Sequence, residues 1–70
     1  MDQKYIVIEL QTMSDGTISN ITHNYDNFLQ AESAYYAILS AAAVSTVPVH
    51  AAIMITNKGE YMDAHYYEHN

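Results

Sequence analysis

The sequence predicts an α+β domain: a four-stranded antiparallel sheet with one helix on one face, in the order β-β-α-β-β. Three observations carry this. Alternating apolar segments occur in two pairs, and a short turn containing glycine joins each pair. Between the pairs runs an uninterrupted segment with apolar residues at three/four spacing. The chain's one proline closes that segment.

The elements follow in order. From Tyr5 to Met13 the residues alternate, Ile6, Ile8, Leu10 and Thr12 on one side and Tyr5, Val7, Glu9, Gln11 and Met13 on the other. This period of two, rich in β-branched residues, is a strand. Ser14-Asp15-Gly16-Thr17 reads as a hairpin turn, and a second strand runs from Thr17 to Tyr25. Asn27, with Gln30 three residues on, resembles a capping box and starts a helix at about Phe28. Its core stripe is Phe28, Ala31, Tyr35, Ile38, Leu39 and Ala42. Val47-Pro48 stops it, because proline cannot continue a helix and pushes the preceding residue toward extended geometry. Val49 to Thr56 is a third strand, Asn57-Lys58-Gly59 a second turn, and Glu60 to Glu68 a fourth strand.

The expected faces of the sheet are unequal. Ile6, Ile8, Leu10, Ile53 and Ile55 are expected beneath the helix. The opposite face would then carry Tyr5, Val7, Met54, Tyr61 and Tyr67 and would stand open.

From Phe28 to Val44 the only charged residue is Glu32. A surface helix ordinarily turns a charged or polar face to water. The back of this one instead offers Ser33, Ala34, Ala37 and Ala41, beside Tyr36. Seventy residues make one domain, 1–70, and a core of that size commonly needs a staple or self-association. Without cysteine there is no disulfide, so a homo-oligomer, dimer or larger, is expected. Ala34, Tyr36, Ala37 and Ala41 on the helix, with Tyr5, Val7, Met54, Tyr61 and Tyr67 on the open sheet face, are the expected interface residues. The seven tyrosines strengthen this reading, since tyrosine is enriched at interfaces; Tyr25, Tyr35 and Tyr66 are assigned to the core.

The formal charge of −6 comes from eight carboxylates against Lys4 and Lys58. That balance argues against nucleic-acid binding and against anionic membranes. The first residues lack the basic and apolar regions of a signal peptide, so the expected location is the cytoplasm.

Groups that could carry chemistry are few. His65 and His69 are four apart, which on a strand separates them by roughly 13 Å, too far to share an ion. No metal site is expected within one chain. His50 is expected to make a hydrogen bond at the start of its strand, or to line a pocket near the helix C-terminus. Ser45, His50 and Asp63 supply the residue types of a catalytic triad, but nothing in their spacing supports that geometry. No nucleophile elbow, phosphate-binding loop or cysteine nucleophile is present, so neither enzyme activity nor a cofactor is expected.

The run Gln30-Ala31-Glu32-Ser33-Ala34-Tyr35-Tyr36-Ala37-Ile38-Leu39-Ser40-Ala41-Ala42-Ala43-Val44-Ser45 leads into Val47-Pro48-Val49-His50. With the opening Tyr5-Ile6-Val7-Ile8-Glu9-Leu10-Gln11-Thr12 and the Asp15-Gly16-Thr17 turn, it resembles a family of small uncharacterised phage- and prophage-encoded proteins of Gram-positive and gut bacteria. The resemblance spans nearly the whole chain and brings no catalytic residues. It implies a phage or mobile-element origin and expression inside a bacterial host cell, with virion association as a variant. The function expected is a non-enzymatic, self-associating binding protein whose partner is itself and also a host or phage protein. One alternative is a counter-defence protein sequestering a nucleotide-like ligand at a subunit interface, in a pocket of Tyr36, His50, Tyr61 and His65. A second is a minor virion or assembly component.

Overall fold

The computed structural model describes residues 2–69. The chain forms β1 (Tyr5–Thr12), β2 (Ile18–Tyr25), α1 (Phe28–Val44), β3 (Val49–Thr56) and β4 (Tyr61–Glu68). The strands make one antiparallel sheet in the order β2-β1-β3-β4, as the α+β reading expects. Each hairpin places its two strands side by side, and β1 and β3 join the hairpins at the centre.

Both hairpins close in the same way. Gly16 N–H donates to the Met13 carbonyl at 3.0 Å, and Gly59 N–H donates to the Thr56 carbonyl at 3.0 Å. In each, the glycine has a positive φ, 88° at Gly16 and 81° at Gly59. This is a three-residue loop in which glycine takes the left-handed position.

Asn27 caps the helix: its Oδ1 accepts from the Leu29 N–H at 2.8 Å and the Gln30 N–H at 3.2 Å. The buried stripe of α1 is Ala31, Tyr35, Leu39 and Ala42, at the predicted spacing, with Phe28 and Ile38 half-buried beside it. This stripe packs on Val7, Ala52 and Met54 of the central strands.

That packing inverts the expected faces. Val7 is 0% exposed and Met54 4%, both under the helix; neither belongs to an open face or to an interface. Ile6, Ile8, Leu10, Ile53 and Ile55, expected in the core, point away from the helix. The two connections to α1 supply the physical reason. Only Asp26 and Asn27 separate β2 from α1, and Phe28 lands on the ring of Tyr5 with centroids 5.6 Å apart. At the other end, Ser45 bonds to His50. Tyr5 pairs with Thr56, Val7 with Met54 and Gln11 with His50, so all lie on one side of the sheet. The helix is tied to that side at both ends. Among the described residues, no helix is long and apolar enough to cross a membrane.

Candidate functional site

Three features hold chemistry or surface beyond simple packing. The first is the uncovered sheet face. In the β1–β3 ladder, Ile6 pairs with Ile55, Ile8 with Ile53, Leu10 with Ala51 and Thr12 with Val49. On the β4 side, Val49 pairs with Glu68, Ala51 with Tyr66, Ile53 with Ala64 and Ile55 with Tyr61. On the β2 side, Asn24, Thr22, Asn20 and Ile18 complete the rows. The centre is aliphatic, one flank is uncharged and polar, and Tyr66 stands on the other flank 58% exposed. Tyr66 was expected in the core. The small side chains of Ala51 and Ala64 leave a depression of about 360 Å³ bordered by Leu10, Ile53 and Tyr66.

The second feature is a groove of about 510 Å³ between α1 and edge strand β4. Helix residues Tyr35, Tyr36, Leu39, Ser40 and Ala43 face strand residues Asp63, Ala64, His65 and Tyr67. A β-bulge between Met54 and Ile55 shifts the β3–β4 register there, and Asp63 sits opposite Met54 on the helix side. The Asp63 carboxylate lies near the Tyr35 phenol. Burial, reinforced by the nearby Asp63 charge, pushes the phenol up to about 12. The rings are held edge to face, with Tyr35 against Tyr36 at 5.2 Å and His65 against Tyr67 at 4.9 Å. Among the lining residues the one carboxylate is Asp63, and no lysine is present.

The third feature is a buried polar relay under the helix C-terminus. Ser45 Oγ lies 2.9 Å from His50 Nδ1, and His50 Nε2 lies 2.6 Å from Glu9 Oε2. Gln11 Nε2 donates to the same Glu9 oxygen at 3.2 Å. The tautomer with hydrogen on Nε2 satisfies every group: Nε2–H donates to the carboxylate, and Nδ1 accepts the serine proton. The third member is Glu9, so the set assembled on paper with Asp63 is corrected. His50 is 4% exposed and neither bounds the groove nor touches the uncovered face. The relay ties the start of β3 to the C-cap of α1, which is the hydrogen-bonding role expected of His50.

The other expected residues fall as follows. Tyr36, Ala37 and Ala41 are exposed on the outer side of α1, and Ala34 is half-buried there. Tyr5 and Tyr67 are half-buried against the core on the helix side. Tyr61 is 67% exposed at the start of β4, opposite Ile55. Of the expected ligand pocket, Tyr36 and His65 share the groove, whereas His50 and Tyr61 are not among its lining residues. His69 donates from Nε2 to the Ala42 carbonyl at 2.8 Å, which occupies it at the end of the helix. No family model matches the chain, and no curated protein or solved structure does either.

Proposed function

We propose that this chain is a non-enzymatic binding protein that assembles with a second copy of itself through the uncovered sheet face. The observation that carries the reading is how the residues are divided between the two faces. The helix covers the face that holds Glu9, Gln11, His50, Thr56 and Asp63. The face left open holds Ile6, Ile8, Leu10, Ile53 and Ile55. A flat aliphatic face of this kind on a small chain marks an interaction site.

A second copy fits that face. The faces would meet aliphatic centre to aliphatic centre, and at the middle of the patch neither brings a charge against the other. Four strands of eight residues, at about 4.8 Å spacing and 3.3 Å rise, give a face of roughly 19 by 26 Å. Two such faces cover about 1,000 Å² in plane, and more as corrugated accessible surface, which reaches the size of a specific interface. Glu68, opposite Val49, stands at one corner of this face and away from its aliphatic centre, so the net charge of −6 opposes association through repulsion at the rim and at longer range.

The resemblance to phage-encoded proteins supports a mobile-element origin for this assembly, acting within a bacterial host. The test is molar mass in solution by size exclusion with light scattering, from micromolar to nanomolar concentration. A dimer that dissociates on Ile53→Lys, while helicity is kept, supports the reading. A folded monomer at all concentrations overturns it. Added salt should tighten the dimer by screening the like charges.

A further inference from the structure

We infer that the groove between α1 and β4 is a binding site for an organic cation, an alkylammonium or guanidinium group. Its composition selects the charge of the ligand. Its lining includes the rings of Tyr36, Tyr67 and His65 and the Asp63 carboxylate. Aromatic faces attract cations through their quadrupole, and a carboxylate alongside adds direct charge. A phosphate would meet the reverse arrangement. Lys4 is bound to Asp26 at 2.9 Å, and Lys58 lies in the β3–β4 turn. Neither lysine borders the groove.

Asp63 has capacity to spare. Oδ1 accepts the Ala64 N–H at 2.9 Å. An ionised carboxylate offers about four acceptor positions, so at least one remains for a ligand N–H. The Ala64 N–H holds one oxygen of the carboxylate before any ligand arrives. Tyr36 is 52% exposed, so a ligand can cover its ring without moving the core. The volume of about 510 Å³ suits a small organic cation or one long basic side chain. The groove opens on the helix side of the sheet and meets the open-face depression only at edge residues Ala64 and His65, so agmatine binding and the oligomeric state are read by separate measurements.

The test is a titration of the isotopically labelled full chain, followed by amide NMR. Agmatine represents a free cation, and an arginine-containing neutral-background peptide represents a protein side chain. Adenosine monophosphate and an equal ionic strength of sodium chloride are the controls. Saturable shifts at Tyr36, Ser40, Asp63, His65 and Tyr67 with agmatine or the peptide, and none with the controls, are expected. The tighter of the two identifies the source of the cation. Asp63→Asn retains a carbonyl acceptor for the Ala64 N–H and should weaken binding about tenfold by removing the charge. Tyr36→Ala, at an exposed position, should weaken it about threefold. Shifts that do not saturate, that sodium chloride reproduces, or that are stronger with adenosine monophosphate would overturn the assignment. So would full affinity in both variants.

Discussion

The two faces of the sheet show that apolarity and burial are separate decisions. Neighbouring residues on β1 make the contrast: Val7 is completely enclosed under the helix, and Ile8 faces outward on the other side. The outward face is the more aliphatic of the two. The enclosed face is mixed, with small Ala31 and Ala52 clustered with Tyr35 and a polar relay closing one end. The helix therefore lies where its two short connections and its polar partners place it. The stronger hydrophobic surface is left uncovered by the chain's own helix.

Introducing a charge on either face breaks the comparison most severely. Val7→Asp places an unpaired carboxylate in a dry core, which costs several kcal/mol and exceeds what so small a domain can spare. Loss of the helical circular dichroism signal at room temperature is the expected result. Ile8→Asp, one residue along, should leave that signal intact and abolish the dimer in light scattering. Equal unfolding by both substitutions would show that the outward face belongs to the chain's own core.

The elements themselves were legible in the sequence, because each has a local cause. Asn27 marks the helix start, Pro48 its end, and Gly16 and Gly59 the turns. The choice of covered face was not legible. Alternation separates a strand into two sides but does not say which side receives the helix, and here both sides are apolar enough. The deciding contacts, Phe28 on Tyr5 and Ser45 with His50, join separate elements. The groove was half visible: Tyr36 and His65 stood out as candidates. Asp63 was weighed only for a different cluster, since its place beside Tyr35 depends on the bulge in β4.

The polar relay sharpens the contrast from the covered side. His50→Ala strips Glu9 of its 2.6 Å partner and leaves a void beneath the helix C-terminus. A loss of about 1–3 kcal/mol follows, since only Gln11 is left to bond the half-buried carboxylate, read as a lower midpoint in urea. Alkali acts on the same face through Tyr35. Its phenol is raised from 10.0 to about 12 in the folded chain, so between those values the folded state holds a proton that the unfolded state has released. Stability is therefore complete below pH 10 and falls as pH rises through 12. Tyr35→Phe should flatten that alkaline slope, measured by urea midpoints across the range.

The smallest effect tests how the faces are kept in register. A slip of one residue between β3 and β4 would exchange their sides, moving Tyr66 into the groove and Asp63 onto the aliphatic face. The Gly59 loop fixes this register through its left-handed residue, at φ 81°. A Cβ there meets nothing within 4 Å, so Gly59→Ala is opposed by backbone conformation alone. The expected loss is about 1 kcal/mol, with the dimer and the groove unchanged. Gly16→Ala, at φ 88° and equally open, should cost the same. A much larger loss at Gly59 than at Gly16 would mean that the β3–β4 turn is held by contacts a single chain does not contain, which would place the partner over that end of the sheet.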